Sequence, residues 1–380
     1  MRLHGAATIG HPRPDMPAPN PPSRTASALA EASPADGRPS SLNDVALLAG
    51  VSPGTVSRAL SRPDMISEAT RARVQAAADR LGYVANGAAR ALALRKTRTV
   101  GALVPRFGGS SFPAMVQALE STLAAQGYTL LLSAPDHQRA QEPAILRTML
   151  ERGVDAVALL GDELPPAMFA MLAANRTPYV LMWAEPGANS AAAGACVGFD
   201  EHAAAALVVD HLADLGHVRL GFIGGRLAHN ERAQRRYRGV VAAVARRGLT
   251  LVHEAVVETD YGFREGHDAA AAILQRGARV TALVCGNDYL ATGVLSALHR
   301  AGLAVPGAMS VASFNDSEFA PYLVPALTTV RIPIREIGER AGEYLLARLR
   351  GEPAEAPAPL AVALVVREST GRAAKISRIS

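Results

Sequence analysis

Two sets of polar residues in this chain of 380 residues are placed to act on a partner. The first is the run Ser52-Pro53-Gly54-Thr55-Val56-Ser57-Arg58. A serine followed by a proline opens a helix, because the hydroxyl can cap free N–H groups and proline loses nothing at the first position. Hydroxyls, a guanidinium and the N-terminal N–H groups then share one small-faced helix, which is chemistry for phosphates and base edges. The second set lies beside short apolar runs further along. Phe112 follows the first such run, Trp183 ends "YVLMW", Tyr261 follows "VETD", Asn287 ends "CGN" and Asn315 ends "SFN". Arg236 sits in "NERAQRRYRG". In sheets with helices on both faces, ligands bind at the carboxyl ends of strands, so the strand-end positions nominate a small-molecule site. Each residue also has a plain structural use: Phe112 and Tyr261 as core, Asn287 and Asn315 as caps, Arg236 as one solvated charge beside Arg232, Arg235 and Arg238.

Other chemistry finds little support. Cys196 and Cys285 lie in apolar surroundings without a neighbouring Cys or His at metal spacing, so reduced buried thiols are expected. The histidines form no HxxxH or HExxH pair, and His211 and His217, six apart, do not share a helical face. There is no G-x-G-x-x-G after the first strand, no P-loop and no G-x-S-x-G. The reading is of a binding protein, not an enzyme, with neither cofactor nor metal.

The net charge of +5 is unevenly spread. Residues 40–98 carry nine basic and four acidic groups, whereas residues 99–380 carry 26 and 27. A small basic module on a near-neutral body points to a polyanion. Residues 1–39 hold eight prolines and no continuous apolar core, so they read as a disordered leader and not as a signal peptide. No long apolar run indicates a membrane span, and a cytoplasmic location is expected.

The elements that position the first set are three short helices over residues 40–85. Val45, Leu48 and Ala49 make one apolar face, Gly50 stops it, and Val56, Ala59 and Leu60 form the next. Ser67 caps a third helix whose core face is Val74, Ala77, Ala78 and Leu81, ended by Gly82. Gly54, Thr55, Arg58 and Arg62 fall opposite the second helix's apolar stripe. This is the pattern of a helix-turn-helix, whose second helix enters the DNA major groove. From residue 99 onward, strand-like runs such as "TVGALV", "DAVALL" and "RLGFIGG" alternate with amphipathic stretches. Ten such runs exceed one ordinary sheet, so two parallel-sheet lobes are expected, closing on a ligand between them.

The segment "LNDVALLAGVSPGTVSRALSRPDMISEATRARVQAAADRLGYVANGAARAL" resembles the DNA-binding domain of the lactose-repressor/galactose-repressor (LacI/GalR) family. The runs "VGFDEHAAAALVVDHLADLGHVRLGFIGG", "TALVCGNDYLATGVLSALHRAGLAVPGAMSVASFND" and "PALTTVRIPIREIGERAGEYLLARL" resemble its periplasmic-binding-protein-like core. The resemblance implies an N-terminal all-α helix-turn-helix domain (residues 40–85), a hinge helix and linker (86–98) and a two-lobed α/β effector-binding core (99–372). Lobe one is expected over 99–198 and 332–355, lobe two over 199–331 and 356–372, with a short tail over 373–380. It implies DNA contacts from Ser52, Pro53, Gly54, Thr55, Ser57 and Arg58, and from Asn86, Ala89, Arg90 and Leu92 in the hinge. Leu92 matches a leucine that wedges a base step in the minor groove. It further implies a homodimer on a pseudo-palindromic operator, and an effector between the lobes that prevents the hinges from folding. Arg236 matches the family's effector-clamping arginine.

Four positions depart from the family pattern. Pro53 and Gly54 stand where long base-reading side chains are common, so direct readout is expected from Thr55 and Arg58. Trp183 and Asn315 stand where acidic residues are frequent, which leaves Arg236 less neutralised and favours an anionic ligand. With "FND" they resemble the gluconate-repressor branch, and gluconate or a related sugar acid is the expected effector. A solute-binding transport component is the competing reading of the core, opposed by the basic front module.

Overall fold

The structure is a computed structural model, and it describes residues 38–87, 91, 96–104, 111–135, 139–185, 196–355 and 357–374. Ala89, Arg90, Leu92 and nearly all of the leader lie outside the described residues. The chain divides into a first unit that ends at Arg95 and a second that starts at Lys96.

In the first unit, α1 spans Leu42–Ala49, α2 Pro53–Ser61 and α3 Glu68–Arg80. Ser41 opens α1 with a reciprocal cap: the Asp44 N–H donates to its hydroxyl, and the Asp44 carboxylate accepts from the Ser41 N–H at 2.8 Å. Gly50, at φ 63°, ends α1 in the left-handed region and turns the chain into α2. Val45, Ala46, Ala49, Val56, Ala59, Val74, Ala77 and Ala78 form the core. The predicted Leu48, Leu60 and Leu81 are only half-buried against it, and Ala46 joins instead. Helices that cross on alanines sit too close for leucine at the centre, so the larger side chains close the rim.

The second unit carries two sheets. The first contains β1 (Thr99–Leu103), β2 (Thr129–Ser133), β3 (Ala156–Leu160), β4 (Tyr179–Met182) and β5 (Cys196–Val197), all parallel in the order β2-β1-β3-β4-β5. It is flanked by α4 (Phe112–Ala124), α5 (Glu142–Glu151) and α6 (Pro166–Ala174). From α7 (Glu201–Asp214) the chain enters the second sheet, with β6 (Arg219–Gly225), α8 (Glu231–Arg246), β7 (Thr250–Thr259), α9 (Phe263–Gln275), β8 (Ala282–Cys285), α10 (Asp288–Arg300) and β9 (Ser310–Asn315). Then come β10 (Thr328–Arg331), α11 (Ile334–Arg350) and β11 (Ala363–Val365). The order is β11-β10-β9-β8-β6-β7, parallel except for the β10–β11 pair. Both sheets share the doubly wound order in which strand order reverses beside the first strand.

Helix α11 returns to the first sheet and packs on α4. Gly342 there leaves room for the Thr122 side chain, which a Cβ would meet at 2.8 Å. Strand β10 is the one the sequence reading missed. Its "TTVR" offers a single aliphatic side chain, yet Thr328 and Thr329 are fully buried. Their hydroxyls make it a core strand: Thr329 donates to Asp288 at 2.7 Å, and Thr328 meets Thr370 at 3.0 Å. Among the described residues no helix is long and apolar enough to cross a membrane.

Candidate functional site

On α2 the cap is built as the sequence predicts. The Thr55 N–H donates to the Ser52 hydroxyl at 3.2 Å, and the two hydroxyls lie 2.9 Å apart. Pro53, Gly54, Ser57 and Arg58 are exposed with Ser52, and form one face; no acid occupies the first turn. Thr55 is half-buried, and its hydroxyl is already engaged by the cap. Arg58 folds back so that its Nε donates to the Gly54 carbonyl at 3.1 Å, which leaves its terminal nitrogens for a partner. Arg62, Arg71, Arg73 and Arg80 are also exposed on this unit. Asn86 is exposed near the unit's end.

In the second unit, Trp183 and Arg236 meet on one carboxylate, and Phe112 packs on Trp183. Arg236, on α8, is 5% exposed. Its Nε and Nη2 donate to the two oxygens of Glu201 at 2.9 and 2.8 Å, and its Nη1 donates to the Gly286 carbonyl at 2.5 Å. The same Glu201 accepts from the Trp183 indole N–H at 2.9 Å. Trp183 follows β4 in the left-handed region, at φ 53°, and meets Phe112 and Phe199 edge-on at 5.5 and 5.4 Å. The Arg232 guanidinium stands 5.7 Å over the Phe112 ring, and Arg236 stands 4.6 Å over Phe314.

Asn287 follows Gly286 and caps α10, accepting from the Leu290 N–H at 2.9 Å. Asn315 follows Phe314 at the end of β9 with φ 110°, and its buried carboxamide oxygen has no partner among the described residues. Tyr261 packs on Gly225, where a Cβ would stand 2.5 Å from the phenol ring. A larger residue there would have to displace the Tyr261 ring.

Two positively charged neighbours are also matched. Arg235 donates to both Asp162 oxygens at 2.8 and 2.9 Å, and Arg232 donates to Glu231 at 2.8 Å. Burial alone lowers the pKa of Arg236, but the Glu201 charge and hydrogen bonds outweigh it and raise the value above the ordinary one. Arg235 behaves alike, with Asp162 as the partner that overcomes burial. Burial raises the Tyr261 phenol above its usual range, with Arg236 pulling the other way.

These contacts correct one premise of the sequence reading. Loss of two family acids was expected to leave Arg236 less neutralised, but Glu201 supplies a carboxylate of its own. Glu201 is the first residue of α7, where an acid also suits the helix dipole, so nothing in "VGFDEHAAAA" marks it as facing Arg236. Asp162 was missed too, although the strand-end rule that nominated Asn287 applies equally to it after β3. The loop that carries Asn315 is held from behind. The buried Asp288 accepts from the Ser313 hydroxyl, the Ser317 N–H at 2.6 Å and the Thr329 hydroxyl at 2.7 Å.

Cys196 and Cys285 are free and buried, and burial pushes the Cys196 thiol up to about 11. Among the described residues no cluster of His, Cys, Asp or Glu is arranged to hold a metal.

Known proteins resemble this chain. The profile described as "Bacterial regulatory proteins, lacI family" matches residues 41–86, and "Periplasmic binding protein-like domain" matches residues 209–370. The ribose operon repressor of Escherichia coli (strain K12) is 33% identical over 312 residues, covering 81% of this chain and 92% of its own length. The HTH-type transcriptional repressor CytR of the same strain is 33% identical over 318 residues, covering 82% and 90%. A crystal structure of the Lac repressor dimer bound to operator and the anti-inducer ONPF superposes with a TM-score of 0.77 at 26% identity, covering 88% of this chain and all (100%) of that one. The chain therefore belongs to the lacI family of bacterial regulatory proteins, as a DNA-binding transcriptional repressor with a periplasmic-binding-protein-like α/β core.

Proposed function

We propose that this repressor acts in the cytoplasm as a homodimer on a pseudo-palindromic operator, and that a small hydroxylated metabolite in the cleft between its two sheets controls it. The regulated genes are those of sugar or sugar-acid catabolism. Ser52, Pro53, Gly54, Ser57 and Arg58 face the major groove, with Thr55 beside them. Asn86, Ala89, Arg90 and Leu92 form a hinge that enters the minor groove when two copies meet. The effector contacts are Phe112, Trp183, Arg236, Tyr261, Asn287 and Asn315.

The observation that carries the effector reading is the convergence on Glu201. Trp183 comes from the first sheet and Arg236 from the second, and both donate to that one carboxylate. A molecule lodged there touches both sheets at once, so it can bind one angle between them better than another. Such differential affinity is the only way a ligand shifts a conformational equilibrium. For the dimer, support comes from the Lac repressor dimer likeness and from Tyr322 and Val324, which are 83% and 95% exposed on one loop. Placement in the gluconate-repressor branch, with gluconate as effector, rests on Trp183 and the "FND" run alone.

Gel retardation on DNA from upstream of the chain's own gene tests this reading. The expected result is a shift with that duplex and not with unrelated DNA, altered by one class of sugar-like metabolite. Equal retention of every duplex overturns it.

A further inference from the structure

We propose that Glu201 is a specificity-determining residue, a resident counter-ion that closes Arg236 to anionic effectors and reserves the site for neutral, hydroxyl-bearing ligands. This rests on the reading of a metabolite between the two sheets, and within that reading it excludes gluconate and other sugar acids.

The first reason is geometric. A carboxylate ligand binds arginine best through two parallel N–H bonds on one edge of the guanidinium. Glu201 already holds such an edge, with Nε at 2.9 Å and Nη2 at 2.8 Å. Trp183 fixes the carboxylate from the other side at 2.9 Å, so Glu201 cannot rotate away without breaking three bonds. At 3% exposure it has no water to move into.

The second reason is the count of groups left over. A guanidinium has five N–H donors, and three of those on Arg236 are in use. Two remain. Glu201 retains acceptor capacity on Oε2, and the buried Asn315 oxygen accepts nothing among the described residues. The site therefore presents donors and acceptors together. A hydroxyl both donates and accepts and matches that mixture, whereas a carboxylate only accepts and would face two acceptors.

The third reason is charge. Arg232 and Arg235 have their own acids, Glu231 at 2.8 Å and Asp162 at 2.8 Å. Arg232, Arg235 and Arg236 are thus each paired with an acid, which weakens the pull on an anion.

The test uses the full-length protein and its single tryptophan, Trp183. Its fluorescence is titrated with sodium gluconate and with sodium sulfate at constant ionic strength. The unaltered protein is expected to show no saturable change with either. Glu201→Gln keeps an acceptor for the indole but removes the charge, and it is expected to gain a saturable gluconate response that is lost again in Glu201→Gln/Arg236→Met. A saturable response of the unaltered protein to either anion overturns the proposal, and so does a folded Glu201→Gln protein that gains none. If that variant does not fold, the unaltered protein still decides, because its binding of gluconate refutes the counter-ion role and its indifference upholds it. Failure of the underlying effector reading shows separately, as operator retardation that no metabolite changes.

Discussion

Arg235 and Asp162 form a two-bond ion pair, at 2.8 and 2.9 Å, between helix α8 of the second sheet and the carboxyl end of β3 in the first. Asp162 is 1% exposed, so the pair works as a buried tie between the two sheets. A buried charge that loses its partner keeps the cost of desolvation without the compensation. The only other acid near Arg235 is Glu185 at 4.0 Å among the described ion pairs. A double-mutant cycle with Asp162→Asn and Arg235→Met is expected to give a coupling energy of about 2–3 kcal/mol, the double variant losing less stability than the sum of the two single variants. Denaturant unfolding of the core measures it. Additive effects would show that the tie is inert.

Gly54→Gln is expected to fold and to change base preference at one position of each operator half-site. A Cβ at Gly54 meets nothing closer than 3.9 Å, and glycine inside a helix costs about 0.5–1 kcal/mol relative to a better helix former. The new amide then projects from the exposed face of α2, where it can pair with adenine. Binding selection on randomised half-sites reads the outcome. An unchanged preference means that this face does not read bases.

Ser52→Ala removes the acceptor for the Thr55 N–H and the partner of the Thr55 hydroxyl. Loss of such a cap costs about 1 kcal/mol. The expected result is a lower melting temperature for the first unit and weaker operator binding, while the core transition stays where it was. Calorimetry of the full chain separates the two transitions.

The core is expected to lose stability as the pH falls below the ordinary histidine value of 6.5. His217 is buried, and its Nε2–H donates to the Gly371 carbonyl at 3.0 Å while Nδ1 lies 2.8 Å from the Thr281 hydroxyl. Burial lowers its pKa, and burial lowers that of His211 as well. A lowered value means that the unfolded chain takes up protons first, so the stability these neutral rings contribute is present above 6.5 and is lost below it. Melting curves from about pH 7.5 down to about pH 5.5 check the slope. His217→Gln keeps both hydrogen bonds within reach and is expected to flatten it.

Much of this was written in local chemistry. Ser52 and Ser67 announce two of the three helices of the first unit, because a hydroxyl just before an apolar repeat can cap the N–H groups that follow it, whereas the Ser41 cap emerged only from the structure. Gly50 and Gly82 mark turns, since a left-handed residue without a Cβ costs least there. Strands β1, β3, β4 and β8 are visible because a parallel strand covered on both faces must be apolar throughout. The same strand ends led to Trp183, Asn287 and Asn315. Strand β10 escaped because its buried threonines look polar until Asp288 and Thr370 stand beside them.

The sequence by itself determined the small capped helix on a basic module, the two parallel-sheet lobes, and which residues end most of their strands. Those follow from hydrogen-bonding needs and periodicities that act within a few residues. Tertiary structure alone decided the charge state of the site. Whether Glu201 meets solvent or Arg236 depends on how α7 and α8 pack, thirty-five positions apart. Coulomb attraction between buried groups is set by distance in space and by exclusion of water, and neither can be read along the chain.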